Sequence, residues 1–119
     1  MVPAASKVTV NAGDTVLMFI REWRGRAKQA EAARYPEYFR EEVIRQLRQA
    51  PGFQGGTLSR RDVGDQVEFL VLTRWTSMEA IREFTGTVAE HAVIDPGAMA
   101  TLVAYDQSVR HYEVLEKLG

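Results

Sequence analysis

The sequence predicts an α+β fold in which two helices cover one face of an antiparallel four-stranded sheet. The order of its segments predicts this, because strand, helix, strand, strand, helix and strand follow one another as in the ferredoxin-like β-α-β-β-α-β arrangement. The length of 119 residues fits a single domain. The hydrophobic share of 45% and the charged share of 26% are ordinary for a globular protein.

Four segments are rich in β-branched, aromatic and aliphatic residues, which is typical of strands. They are predicted at Thr15–Arg24, Phe53–Arg61, Gln66–Trp75 and Gln107–Leu115, with a further short edge strand at Val8–Val10. Gly25 is expected to end the first strand. The pair Gly55-Gly56 indicates a bulge or a close backbone approach in the second.

Two segments have the apolar spacing of helices that pack on a sheet. In the first, Phe39, Val43 and Leu47 recur every four residues. Pro36 leaves two alternatives open: the main helix begins at this proline, or the Ala-rich stretch before it forms a separate turn. We favour a helix over Pro36–Gln49.

The second helix is predicted over Ser77–Thr85. Thr76 and Glu79 form a capping box at its start, and Gly86 ends it. Further along the chain, Asp95-Pro96-Gly97 is expected to form a turn.

The charge balance and the composition exclude several classes of function. Lys and Arg number 15 against 16 Asp and Glu, and a net charge of -1 argues against nucleic acid or a membrane surface as partner. The absence of cysteine excludes disulfides, thiolate catalysis and iron–sulfur clusters. No apolar run approaches the ~20 residues that span a bilayer, and no signal peptide is visible. We therefore expect a cytoplasmic protein.

The strands are apolar on both faces, although a sheet covered by helices on one side only should alternate. Val67, Phe69 and Val71 lie on one parity of the third strand, and Leu70 and Leu72 lie on the other. Something must cover the second face, and a second copy of the chain is the simplest candidate. The sequence therefore predicts a homodimer closed sheet to sheet.

No sharp catalytic or metal-binding motif occurs in the chain. The two histidines, His91 and His111, fit no metal spacing, and no serine sits in a nucleophile motif. Glu41 and Glu42 are adjacent on a helix, so their carboxyl groups do not face each other. We predict no metal site and no cofactor.

Aromatic residues near strand ends and on the two helices indicate an apolar cleft between helices and sheet. The alternative is that they fill the core, which suits Phe39, Phe69 and Phe84. Trp23 and Trp75 each end a strand, which favours a pocket wall. Arg21 and Arg74 end the same strands, where each could orient an acidic or phenolate ligand or pair with Glu22 or Glu68.

The run from Phe69 to Phe84, FLVLTRWTSMEAIREF, resembles the signature of antibiotic biosynthesis monooxygenase domains: an apolar strand ending in Trp, a Ser/Glu-capped helix, an Ala and then a Phe. Pro51-Gly52-Phe53 and the closing run His111-Tyr112-Glu113-Val114 are similar to the same family. The resemblance spans about residues 15–115. It implies a dimeric α+β barrel formed by a domain over 15–119, preceded by an extension over 1–14.

The resemblance implies three kinds of function: cofactor-independent oxidation of phenols or anthrones, heme degradation, and quinol oxidation. The heme-degrading branch uses an Asn, a helical Trp and a heme-ligating His. Here Trp23 and Phe84 occupy the first two positions, and His91 precedes the third, which falls near Ile94. Heme degradation of that kind is therefore disfavoured.

We expect a monooxygenase that oxidises an aromatic, phenolic small molecule with O2 in an apolar pocket, without a cofactor. The alternatives are a non-catalytic ligand-binding module and a polyketide cyclase or isomerase on the same barrel. The candidate catalytic residues are His91 and Arg74. The candidate substrate-binding residues are Arg21, Trp23, Tyr38, Trp75 and Phe84.

Overall fold

The computed structural model describes residues 18–86, 92 and 96–118. Three strands carry most of the sheet: β1 (Phe19–Lys28), β2 (Phe53–Val63) and β3 (Gln66–Trp75). The helical elements are a 3-10 turn (Gln29–Glu31), α1 (Arg34–Tyr38), a π-helical turn (Phe39–Val43), α2 (Ile44–Gln49), α3 (Met78–Thr85) and α4 (Pro96–Met99). Two short strands, β4 (Ala104–Tyr105) and β5 (Arg110–Glu113), complete the fold.

The sheet is antiparallel, with the strand order β2-β3-β1-β4 and with β5 also paired to β1. β1 and β3 pair along their whole length, from Phe19 opposite Trp75 to Lys28 opposite Gln66. This is the predicted ferredoxin-like α+β arrangement. The predicted bounds of β3 are confirmed, and the predicted bulge in β2 is confirmed by a register shift between Phe53 and Gly55.

Side chains of β1 and β3 alternate between two faces, which we call the helix face and the open face. On the helix face, the odd-numbered positions are buried against the helices, with Trp75, Val67 and Phe69 at 1% exposure or less. The same parity places Arg21 and Trp23 of β1 on the helix face. The core therefore lies between the helices and this face.

The prediction that β1 ends at Gly25 is wrong, because the strand continues to Lys28. Gly25 pairs with Phe69 on one side and Tyr105 on the other. A Cβ at position 25 would lie 2.7 Å from Cη2 of Trp23, so glycine here makes room for a ring and does not break the strand.

The main helix, composed of α1, the π-helical turn and α2, is continuous from Arg34 to Gln49. It begins two residues before the predicted start. The proline at position 36 falls in the first turn, where the backbone N–H groups have no intrahelical acceptor and the missing donor costs nothing. The alternative of a separate Ala-rich turn is confirmed by the 3-10 turn at Gln29–Glu31.

The π-helical turn explains how a four-residue spacing persists along the main helix. In an α-helix each step of four residues rotates about 40° away from the starting face. The wider π-helical turn takes up part of this drift. As a result Tyr35, Phe39, Val43 and Leu47 all face the sheet, and three of them are buried.

The helix α3 starts one residue later than predicted. Ser77, and not Thr76, is the N-cap: its Oγ accepts a hydrogen bond from the backbone N–H of Ala80 at 3.0 Å. Thr76 instead donates its backbone N–H to the carbonyl of Gly52 at 2.9 Å. The helix ends at Gly86, as predicted, with a positive φ of 96° that glycine tolerates.

The predicted final strand, Gln107–Leu115, is shorter in the structure, where β5 covers Arg110–Glu113 only, and a separate strand, β4 (Ala104–Tyr105), precedes it. Asp106 lies between the two strands. Its N–H donates to the carbonyl of Arg24 at 2.9 Å, while its Oδ2 accepts the Arg24 N–H at 3.1 Å in place of a backbone carbonyl. Pro96 and Gly97, predicted as a turn, begin the one-turn helix α4.

The open face carries a network of ion pairs centred on two carboxylates. Glu68 lies 3.1 Å from both Arg26 and Arg61. Glu22 lies 3.3 Å from Arg24 and 3.0 Å from Arg110. Although Glu68 belongs to the face without helices, only 9% of the residue is exposed, because these arginine side chains lie over it. Val8–Val10 and the extension over 1–14 lie outside the described residues.

Replacing the cap residue will test the start of α3. We expect Ser77→Ala to lower the free energy of unfolding by about 1 kcal/mol, because one of the first N–H groups of the helix loses its acceptor. Thr76→Ala is the matched control and should cost less, since Thr76 contributes its backbone to the turn. Urea denaturation of both variants measures the difference. A larger loss of unfolding free energy for Thr76→Ala than for Ser77→Ala would indicate that Thr76 is the N-cap, as the sequence predicts.

Acid titration will test the network on the open face. The hydrogen bond from Arg61 lowers the pKa of Glu68, burial raises it, and the bond from Arg26 lowers it further, with a net shift below the usual value. A carboxyl group with a depressed pKa stabilises the fold at neutral pH, and this contribution is lost as pH falls through the folded-state pKa.

We expect Glu68→Gln to cost about 1–2 kcal/mol near neutral pH and less at about pH 3. Glu42→Gln is the control, because its ion pair with Arg45 is exposed on both sides and such pairs contribute about 0–1 kcal/mol. Denaturant unfolding at both pH values measures this. A cost for Glu68→Gln that does not change with pH would contradict the assignment.

Candidate functional site

A cavity of about 90 Å³ lies between the main helix and the helix face of the sheet. The sheet contributes Arg21, Trp23, Val71 and Thr73 to its wall. The main helix contributes Tyr35, Tyr38, Phe39, Val43, Gln46 and Leu47. Phe84 of α3, Ala98 of α4 and Val109 complete the lining. The wall is therefore mostly aromatic and aliphatic, with a few polar groups.

Tyr35 is the centre of the aromatic part of this wall. Its ring centroid lies 5.3 Å from Phe69 and 5.7 Å from Trp23. Phe39 and Tyr38 follow at 6.1 and 6.3 Å. Such tilted ring pairs are favourable beyond the area that they bury. Only 4% of Tyr35 is exposed, so its ring is enclosed by this aromatic cluster. Its contacts with Trp23 and Phe69 therefore fix the spacing between the main helix and the sheet.

The indole of Trp23 is fixed at both ends. Its Nε1 donates a hydrogen bond to the carbonyl of Asp106 at 2.9 Å. Its six-membered ring lies against Gly25, where any Cβ would collide with it. One face of the ring is thereby held by β1 and the loop before β5, and the cavity has a rigid aromatic wall on this side.

Arg21 brings a positive charge into this apolar cavity. Only 7% of the residue is exposed. A terminal nitrogen of its guanidinium lies 2.9 Å from Nε2 of His111, which is its cross-strand neighbour in the β1–β5 pairing. Since arginine can only donate, Nε2 is the acceptor in this bond, and His111 is neutral with its proton on Nδ1.

The structure places four of the predicted substrate-binding residues around the cavity: Arg21, Trp23, Tyr38 and Phe84. Trp75, the fifth, is fully buried beside it. Its ring packs on Phe84 and Phe53, with centroids 5.1 and 5.5 Å away, and its Nε1 donates to Oγ1 of Thr73 at 2.8 Å. Trp75 therefore supports the wall from behind.

The two predicted catalytic residues are not in the described part of the cavity. Arg74 falls between Thr73 and Trp75, so strand alternation places it on the open face, next to Gly55. His91 lies outside the described residues. The catalytic roles assigned to Arg74 and His91 stay predictions.

Gln46, Ala98 and Val109 line the cavity but were not assigned to it from the sequence. Gln46 comes one residue before Leu47, at a position that the helical pattern predicts to be exposed to solvent. Ala98 and Val109 come from short, irregular elements, for which the sequence pattern gives no signal.

A second, wider groove of about 470 Å³ lies on the other side of the main helix, next to β2. Arg40, Ile44 and Arg48 line its helix side, and the Gly55-Gly56 pair lines its strand side. Phe39, Leu47 and Thr73 border both spaces. These three side chains are therefore the wall between the cavity and the groove.

A comparison with protein-family models matches residues 12–95 to the antibiotic biosynthesis monooxygenase family. The match covers more than half of the chain. The chain belongs to this family. No curated protein matches the sequence, so neither reaction nor substrate follows from a close relative.

Solved structures of the antibiotic biosynthesis monooxygenase family share the fold. A Bacillus cereus protein assigned to the family is 21% identical, with a TM-score of 0.62, and the match covers 86% of this chain and 97% of that one. A heme-degrading protein of Mycobacterium tuberculosis is 22% identical, with a TM-score of 0.54 and the same coverage of 86% and 97%.

The cofactor-independent oxygenase SnoaB from Streptomyces nogalater is 16% identical, with a TM-score of 0.51. That match covers 88% of this chain and 97% of the oxygenase. At these identities the three structures establish the architecture alone.

Two further observations concern membranes and metals. Among residues 18–86, 92 and 96–118, no helix is long and apolar enough to cross a bilayer. Within the same residues, no group of three or more His, Cys, Asp or Glu side chains is placed to hold a metal ion.

Proposed function

We propose that the protein is a monooxygenase that oxidises a phenolic aromatic molecule with O2 inside the cavity, without a bound cofactor. One observation carries the proposal: a buried cationic group, Arg21, opens onto a cavity walled by aromatic rings. Membership of the antibiotic biosynthesis monooxygenase family supports it, as does the fold shared with a cofactor-independent oxygenase.

In this chemistry the substrate itself is the reductant. Loss of the phenolic proton gives an electron-rich phenolate, which passes an electron to O2 and then forms a carbon–oxygen bond. One oxygen atom stays on the ring as the new carbonyl of a quinone, and the other leaves as water with the two hydrogens removed. The protein has to favour the phenolate and exclude bulk water.

The residues around the cavity suit these two tasks. We assign Arg21 to the phenolate oxygen, because its charge stabilises the ionised form. Trp23, Tyr38 and Phe84 would contact the faces and edges of the substrate rings. His91 remains the proposed acid–base group. Since Arg74 lies on the open face, Arg21 is the guanidinium that we assign to the ligand.

The size of the cavity limits what binds without a change of shape. Ligand pockets commonly have volumes of about 300–1,000 Å³, and the cavity has about 90 Å³. We propose that one aromatic ring fits beside Trp23 and that larger ring systems displace Phe39 or Leu47 toward the groove.

We also propose that the chain forms a homodimer through the open face of its sheet. Leu70 and Leu72 lie on this face, and Tyr112 is 50% exposed. The ion-pair network covers one part of the face, and these apolar residues lie outside its carboxylate–arginine pairs. A second copy would cover them.

Oxygen consumption tests the proposed reaction. Purified protein is mixed with dithranol, an anthrone, or with naphthol, and O2 uptake is followed with an electrode while absorbance reports the quinone. We expect both signals to exceed the protein-free autoxidation rate. Binding of these compounds without O2 uptake would contradict the oxygenase proposal. Rearranged but unoxidised product would favour a cyclase or isomerase.

Truncating Trp23 will test the position of the binding cavity. We expect Trp23→Ala to weaken naphthol binding about tenfold, or about 1.4 kcal/mol, through the loss of an aromatic wall. Calorimetric titration measures affinity, and light scattering measures oligomeric state. Tyr105→Ala, on the neighbouring strand β4 and outside the cavity lining, is the control. Loss of the dimer in Trp23→Ala would show that the cavity is misplaced and that Trp23 belongs to an interface.

A further inference from the structure

The groove beside β2 carries two positive charges, and in the part that the structure describes no carboxylate lines it. Arg40 and Arg48 of the main helix supply the charges. Both are exposed, and neither forms an ion pair with any described residue. Arg45 of the same helix is different, because it pairs with Glu42 at 2.7 Å and lies outside the groove. The groove therefore suits an anionic partner that the described residues do not themselves provide.

The two arginines and an isoleucine form a row along the helix. Arg40, Ile44 and Arg48 follow one another at steps of four residues, and all three line the groove. At a rise of 1.5 Å per residue, the Cα atoms of the two arginines lie about 12 Å apart, with Ile44 midway between them. Along the groove, the helix thus presents a positive, an apolar and a positive side chain in that order.

The opposite side of the groove is an edge of the sheet. β2 lies at one end of the strand order, and β3 is its only partner among the described strands. Four consecutive residues, Gly55 to Leu58, line the groove. Successive side chains of a strand point to opposite faces, so lining by neighbouring residues means that the groove also opens onto the backbone edge. An unpaired edge offers N–H and C=O groups to an added strand.

The glycine pair leaves this edge bare. The bulge in β2 accounts for both glycines: Gly55 has a φ of 132°, and a Cβ at Gly56 would lie 2.5 Å from the carbonyl oxygen of Leu72. As a consequence, two successive positions of the edge have no side chain. Another backbone can approach β2 more closely here than at positions that carry one.

We propose that the groove binds an extended acidic segment of another protein, which adds to the edge of β2 as a further strand. Four steps along a strand span about 13 Å, close to the ~12 Å between the two arginines. A segment with acidic, apolar and acidic residues at positions i, i+2 and i+4 matches Arg40, Ile44 and Arg48 in order. Main-chain hydrogen bonds supply affinity, and the matched side chains supply specificity.

The spacing of the charges favours an extended segment over a compact anion. A single phosphate or carboxylate group can meet one arginine of the row but leaves the other, about 12 Å away, without a partner. It also leaves the apolar contact at Ile44 unused. The groove lies outside the cavity, so this inference does not depend on the reaction proposed above and goes beyond it.

Matched peptides test the charge pattern. The capped peptide Thr-Glu-Thr-Val-Thr-Glu-Thr has the proposed order of side chains, and its counterpart has Gln in place of both Glu. Calorimetric titration at low salt measures the two affinities. We expect the wild-type protein to bind the acidic peptide about tenfold more tightly, because two exposed ion pairs each contribute about two- to fivefold. Equal affinities would overturn the proposal.

Substitutions on the helix test which side chains read the charge. Arg40→Gln and Arg48→Gln should each remove part of the preference for the acidic peptide, and the double variant should remove all of it. Arg45→Gln is the matched control and should keep the preference. All three arginines are exposed, so the variants should fold, which circular dichroism checks. A preference that survives the double substitution would contradict the assignment.

Backbone methylation tests the addition of a strand. The N–H groups of alternate residues point to the same edge of an extended peptide. Methylating the nitrogens of the Glu and Val residues therefore blocks one edge, and methylating those of the intervening Thr residues blocks the other. We expect the two methylated peptides to differ about tenfold or more in affinity, because only one edge pairs with β2. Indistinguishable affinities would refute strand addition.

Two further results would assign the groove to another occupant and overturn the proposal. Inorganic phosphate that displaces the acidic peptide at a concentration similar to that of the peptide would indicate a site for small anions. Light scattering that shows the peptide dissociating a dimer would identify a second copy of the chain as the occupant of the edge. We expect neither result.

Discussion

The pairing of β1 with neighbours on both of its edges is the constraint on which the rest of the structure depends. β3 fixes β1 over ten residues on one edge, and β4 and β5 fix it on the other. Strand alternation then sends Arg21 and Trp23 into the cavity and Glu22 and Arg24 into the open-face network. A register slip of one residue would exchange the two sets, burying carboxylates among aromatic rings.

Sequence patterns found the order of elements and the limits of β3, because these follow from strong local periodicity. They failed at Gly25 and at the final strand. Both failures have tertiary causes: Gly25 is needed by the indole of Trp23, and Asp106 replaces a backbone acceptor with its own carboxylate. Composition alone cannot reveal which neighbour a residue will meet across a sheet.

The candidate site was predictable to a similar degree. Aromatic residues near strand ends and on the two helices indicated a cleft, and Trp23, Tyr38 and Phe84 do line it, together with Arg21. Arg21 and Arg74 lie on opposite faces of the sheet, and this difference depends on the register between β1 and β3. Local sequence patterns do not show this register, so both arginines were predicted to reach the ligand. The bond between Arg21 and His111 joins residues 90 positions apart, which no local pattern can show.

The π-helical turn and the buried arginine are two aspects of one arrangement. Because the turn keeps Tyr35, Phe39, Val43 and Leu47 facing the sheet, apolar side chains close the cavity above Arg21. Removing water from around a guanidinium is unfavourable unless hydrogen bonds and an anion compensate it. The same aromatic closure that limits hydration of the guanidinium also limits screening of its charge, which favours the contact with an ionised ring that we propose. The geometry that excludes water would therefore also stabilise the phenolate.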